Sequence, residues 1–177
     1  MPVITPPFSK RHADLTDVST PHVSGDLSQC LQFIETKTLT GNASTITFSN
    51  LNMDGVAGYY FLIHIVSNVT GTNDVSLFFN GDTTATNYYT DVGADNNAII
   101  LVDDSSVTGS GFNLMGNLLC SKLSGRQPAT NVGVFAVAGN KTQHRWTSTA
   151  NVTSMTLSSS SVNGFGIGSK FTLYKLT

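Results

Sequence analysis

Short apolar runs broken by polar turns set the rhythm of this chain. In 44–48 the apolar residues Ile46 and Phe48 share one face while Thr45 and Thr47 take the other, the period-2 signature of a half-buried strand. The run 31–39 predicts a strand of mixed alternation, turned by Gly41-Asn42. From Tyr59 to Val66 nearly every position is apolar, which predicts a central strand covered on both faces. The run 75–79 stops at Asn80-Gly81-Asp82, where Asn80 and Gly81 accept a positive φ, and Asn87-Tyr88-Tyr89 then offers a return strand. That pattern predicts a hairpin-like unit.

Further along, 98–102 is a short apolar run ended by Asp103-Asp104, and 112–120 alternates imperfectly. A turn-rich link with Pro128 covers 121–131, and 132–138 reads as a strand with small residues on one side. Gly139-Asn140 turns that strand toward Arg145-Trp146-Thr147. The segment 152–157 places Met155 and Leu157 on one face, 158–163 is a serine loop, and 170–176 closes the chain with Phe171 and Leu173 opposite Tyr174 and Leu176. Nine or ten short strands at this spacing predict an all-β fold, a single β-sandwich or jelly-roll-like domain over residues 30–177. Residues 1–29 differ: they hold four of the five prolines and space Val3, Ile4, Phe8, Leu15 and Val18 too irregularly for a strand. They read as an extended N-terminal arm, ordered by lying on a neighbouring surface, with packing back onto its own domain as the alternative.

Composition sharpens this picture. Charged residues are 11% of 177, against 40% hydrophobic, which argues against disorder. Ten of the eleven acids are Asp, a turn former, and only Glu35 is Glu, so helices are disfavoured. The net charge of −2 offers no basis for nucleic-acid binding. Between Lys37 and Lys122 there is no Lys or Arg, yet Asp54, Asp74, Asp82, Asp91, Asp95, Asp103 and Asp104 fall there. Turn aspartates facing water are the simpler reading; a calcium site or an acidic docking face are the functional ones. No apolar run reaches membrane-spanning length, and residues 1–29 lack a signal-like apolar core. Cys30 and Cys120 match no zinc spacing and are expected to be buried thiols, although a disulfide stays open.

Catalytic patterns are scarce. There is no Gly-x-Ser-x-Gly elbow, and the Gly-rich stretch 164–170 fails the spacing of a phosphate loop and leads into a strand. Asp103 and Asp104 are adjacent and so point to opposite faces of a strand. His64 inside an apolar strand reads as a hydrogen-bonded buried or interface histidine before a ligand. Sequons begin at Asn42, Asn68, Asn140 and Asn151, as expected in a chain rich in Asn, Ser and Thr. Trp146 and the tyrosines 59, 60, 88 and 89 suit core packing, with sugar stacking as the alternative. The expectation is a protein that is not an enzyme and needs no cofactor or metal.

Two stretches together resemble a known class. Phe79-Asn80-Gly81-Asp82-Thr83 followed by Asn87-Tyr88 resembles the "FNGDTG-x-NY" signature of bacteriophage virion proteins. Trp146 to Leu157, then Phe165 and Gly168-Ser169-Lys170-Phe171-Thr172-Leu173-Tyr174, is similar to their C-terminal half with its terminal "GS-x-F-x-LYG" strand. Ile46 to Leu51 and Tyr59-Tyr60 are similar to their "ITFSNI…Y" segment. The likeness covers about residues 39–177. This chain departs from it at Thr84-Ala85-Thr86, which lengthens the loop, at Lys175 in place of the final Gly, and in the arm.

The resemblance implies a virion structural protein whose motif residues Asn80, Gly81, Asp82, Tyr88, Trp146, Gly168, Phe171 and Tyr174 build the domain. A stand-alone domain with one arm suits a head decoration or cement protein. It implies a homotrimer on the capsid exterior, assembled in the host cytoplasm and bound to the major capsid protein. The arm residues Val3, Ile4, Phe8, Lys10 and Arg11 would make the partner contacts. A tail or tail-fibre component bound to tail proteins is the alternative, and a carbohydrate-binding receptor module a third.

Overall fold

A computed structural model describes residues 31–69, 73–90, 99–102, 113–132 and 143–177. Eleven strands are present among them: β1 (Leu31–Thr38), β2 (Thr45–Phe48), β3 (Gly58–Val66), β4 (Val75–Phe79), β5 (Tyr88–Thr90), β6 (Ile99–Val102), β7 (Asn113–Ser121), β8 (Ala129–Val132), β9 (Gln143–Trp146), β10 (Met155–Ser159) and β11 (Lys170–Leu176). They form two antiparallel sheets, β1-β11-β3-β7-β8-β9-β5 and β2-β10-β4-β6. The all-β sandwich is thus observed, with short 3₁₀ turns at Met53–Gly55 and Ala85–Asn87 and no α-helix among the described residues.

The inner faces of both sheets meet in one core. Phe48 of β2 packs its ring against Phe61 of β3 at 5.3 Å, and Phe79 of β4 against Trp146 of β9 at 5.8 Å. Alternation produces this: Thr45–Phe48 and Gln143–Trp146 each bury every second residue, and Met155–Ser159 turns Met155, Leu157 and Ser159 inward. Each fully buried Phe, Leu or Ile contributes roughly 1.5–3 kcal/mol of transfer free energy. At the β1 edge Lys37 points inward and holds its ammonium 5.3 Å from the Phe48 ring, capping the seam between the sheets.

Three expectations change. Val75–Phe79 and Tyr88–Thr90 do not form a hairpin: β4 pairs with β10 and β6, whereas β5 pairs with β9 in the other sheet. The Asn80-Gly81 turn therefore carries the chain from one sheet to the other. Strand β3 is central in its sheet but covered on one face only: Tyr59, Phe61, Ile63 and Ile65 are buried, while Leu62 on the opposite face is 44% exposed. A polar alternation is absent there because the outward positions Tyr60, Leu62 and Val66 are apolar too, with His64 the exception. Third, β8 begins at Ala129, inside the predicted link, because Ala129 and Asn131 face outward and Thr130 and Val132 inward. The remainder of the predicted strand 132–138 lies outside the described residues, as do the arm and Cys30.

Candidate functional site

Two features stand out, a polar corner that locks the sheets together and an apolar surface on one of them. The corner starts from backbone conformation. Asn80 and Gly81 have φ of 51° and 70°, a region that Gly and Asn enter at least cost. With the turn so set, the Asn80 side chain faces the segment before β10. Its Oδ1 accepts from the Thr153 and Ser154 amides at 2.8 and 3.1 Å, and its Nδ2 donates to the Asn151 carbonyl at 2.8 Å.

Asp82 faces the other sheet. Its Oδ2 accepts from Trp146 Nε1 and Asn87 Nδ2, both at 2.8 Å, and its Oδ1 accepts from the Thr84 amide at 3.0 Å. Tyr88, fully buried, donates its hydroxyl to the Asp82 carbonyl at 2.6 Å and accepts from the Phe79 amide at 3.0 Å. Burial pulls the Asp82 carboxyl upward, but the donors Trp146, Thr84 and Asn87 outweigh it and hold the group below the usual carboxylate range. Burial also pushes the Tyr88 phenol up to about 12, with the Asp82 charge adding to the rise. Both Asp82 oxygens and the Tyr88 hydroxyl are engaged within the corner. It clamps the two sheets.

The other motif residues are placed by the last strand and the loop before it. Gly168 has φ of 88°, and Gly164 lies where a Cβ would sit 1.9 Å from Ser159 Oγ. Behind it, buried Asn73, Ser159 and the Gly164 carbonyl bond to one another. Phe171 is core, 5.3 Å from the Phe165 ring, while Tyr174 stands on the opposite, outer face. The corner residues Asn80, Gly81, Asp82, Tyr88 and Trp146 come together; Gly168, Phe171 and Tyr174 belong elsewhere in the sandwich.

That outer face of the seven-stranded sheet is the second feature. Phe33, Tyr174, Tyr60 and Leu119 form one row across β1, β11, β3 and β7. Lys170, His64 and Met115 form another, and Leu62 lies between the two rows. Phe33 is 58% and Met115 64% exposed, so the face presents apolar side chains to the surroundings. A shallow hollow lies among Leu62, His64, Met115, Lys170, Thr172 and Tyr174. Beyond Leu119 the face turns polar, through Asn131, Gln143 and Arg145, the last with its guanidinium 5.3 Å from the Tyr89 ring. Sequence reading missed this surface because it arises only when four strands are set in register.

Of the sugar-stacking candidates, Trp146, Tyr59 and Tyr88 are buried and Tyr89 is 42% exposed, while the rings of Phe33 and Tyr60 lie at 74° and 46° to Tyr174, so these three make no flat platform. Asp54 pairs with the buried Lys122, and no group of three His, Cys, Asp or Glu suited to a metal occurs among the described residues. Asp91, Asp95, Asp103 and Asp104 lie outside them. Cys120 is a buried free thiol whose pKa burial drives well up. The sequon amides Asn42, Asn68 and Asn151 are each engaged in hydrogen bonds that hold loops. The arm residues Val3, Ile4, Phe8, Lys10 and Arg11 lie outside the described residues. No family model matches the chain, and a search of curated proteins returned no match.

Proposed function

We propose that this chain is a structural protein of a bacteriophage virion, a head decoration or cement protein that binds the capsid exterior as a trimer. The observation that carries the reading is the pairing of a motif-bearing, clamped sandwich with a large apolar face on its wider sheet. A closed core, a tied corner and an apolar surface suit a rigid body that acts by docking. The arm extends the contact: Val3, Ile4 and Phe8 supply apolar anchors, and Lys10 and Arg11 supply positive charge toward an acidic shell surface. On a repeating lattice weak contacts add by multivalency, and a closed trimer fits a threefold position.

The test is co-sedimentation with shells of the encoding phage that lack the protein. The full chain is expected to pellet with shells, and a Val3→Asp/Phe8→Asp chain to stay in the supernatant. Equal pelleting of both would overturn the role of the arm. Binding of the full chain to purified tails and not to shells would favour the tail reading instead.

A further inference from the structure

We propose that the outer face of the seven-stranded sheet docks a protein surface of one chemistry, an apolar projection flanked by carboxylates. The proposal deepens the docking reading above and rests on it for the identity of the partner, the shell. The face is sorted by charge. Its described outward positions hold the exposed Lys170 and Arg145, with His64 beside Lys170, and no Asp or Glu. Glu35 of β1 is not among them: it is in register with buried Leu173 and pairs with Lys37 at 3.3 Å. Yet the chain as a whole carries a net charge of −2. A cationic face on an acidic chain is complementary to an acidic partner.

Strand register gives the face its layout. Phe33, Tyr174, Tyr60 and Leu119 run across four strands with Leu62 beside them, an apolar centre. Thr36, Thr38, Asn117, Asn131 and Gln143 surround it as a polar rim. Lys170 and Arg145 stand at opposite corners. From β11 to β9 is four strand spacings, and from Met115, in the Lys170 row, to Ser121, in the Arg145 row, is six residues. The two cations are therefore roughly 25–30 Å apart, with the apolar centre between them. Apolar centre, polar rim and marginal charge are the anatomy of a protein–protein interface, where Tyr, Met and Arg are enriched. From β1 to β9 the face measures about 24 Å by 20 Å, a flat footprint of about 500 Å². A standard interface takes about 800 Å² of accessible surface from each side, so with side-chain relief this face has the scale of one protein partner.

Other occupants match the face less well. Two copies meeting face to face on a twofold axis would set Lys170 and Arg145 against a surface with no carboxylate to receive them. A lipid surface has no projection to seat in the hollow among Leu62, His64, Met115, Lys170, Thr172 and Tyr174. An apolar side chain of a protein seated there leaves a flanking carboxylate beside the Lys170 ammonium.

Carbodiimide treatment of purified virions tests this on the wild-type chain, because the reagent joins an amine directly to a carboxylate in contact with it. Peptide mass spectrometry is expected to find Lys170 joined to an Asp or Glu of a different virion protein. Lys170 joined to a second copy of this chain would overturn the proposal. So would an unjoined Lys170 on a chain whose other lysines are joined to a different virion protein. A shell protein as the partner supports the shell reading; a tail protein overturns that reading and leaves the docking face standing. A chain absent from virions overturns both. Affinity for shells lacking the protein, by co-sedimentation, is the second measurement. Lys170→Glu/Arg145→Glu and Leu62→Asp are each expected to bind roughly tenfold more weakly than wild type, or worse. Thr47→Glu, at an exposed position on the outer face of the other sheet, is expected to match wild type. Circular dichroism establishes that each variant is folded. Equal affinity of wild type and a folded Lys170→Glu/Arg145→Glu chain would overturn the proposal.

Discussion

Tyr88→Phe removes one oxygen from the place where the two sheets are tied. The ring is fully buried and keeps its edge-on contact with Phe78, centroids 5.9 Å apart, so no cavity of consequence opens. What is lost is a bridge: the Phe79 amide loses its acceptor and the Asp82 carbonyl its donor. A backbone group left unsatisfied away from water costs about 1–3 kcal/mol, and only the Phe79 side of this bridge is fully enclosed, so the loss is set at about 1–3 kcal/mol. For a domain of this size that lowers Tm by roughly 2–12 °C. Urea titration followed by circular dichroism measures it, with the midpoint falling and the slope unchanged. A loss below about 0.5 kcal/mol would refute the bridge as a fastening.

The same residue sets an alkaline limit. The phenol is raised to about 12 in the folded state, against about 10 in an unfolded chain. Its contribution is therefore complete below pH 10 and is lost as pH rises from 10 toward 12. Tyr88→Phe is expected to abolish that part of the alkaline decline.

Three further outcomes are expected. Asp82, with its pKa held down, stabilises the fold above the ordinary carboxylate range and loses that contribution as pH falls below about 4; Asp82→Asn should flatten the acid limb of a stability–pH profile. Asn80→Gly keeps the left-handed turn but loses the bonds to residues 151–154, whereas Asn80→Ala loses both, so thermal denaturation should place Ala about 1 kcal/mol below Gly. Gly164→Ala drives a Cβ to within 1.9 Å of Ser159 Oγ and 2.8 Å of Asn73 Oδ1 in a buried polar cluster, and should cost about 1–3 kcal/mol by chemical denaturation.

Much of the sandwich was legible in local alternation. Ile46 and Phe48, Met155 and Leu157, and Phe171 and Leu173 share faces as their spacing requires, and each lands in the core. The Asn80-Gly81 turn was legible as a turn but not as a corner between sheets, because turn chemistry fixes local φ and not the strand that receives the chain. The Asp82–Trp146 bond joins residues 64 positions apart, and no periodicity carries such a pairing. Strand β3 misled for a physical reason: apolar residues at nearly every position signal two apolar faces, and whether the second is buried depends on what the chain brings to it. Tyr60 and Leu62 became part of a surface only once β7 set Leu119 and Met115 beside them.

The number of copies of this chain per purified virion, measured by quantitative mass spectrometry and located by electron cryomicroscopy, tests the central reading most directly. A shell-decorating trimer predicts on the order of hundreds of copies, as density over the capsid at symmetry-related positions. A handful of copies confined to the tail, or none in the particle, would contradict it.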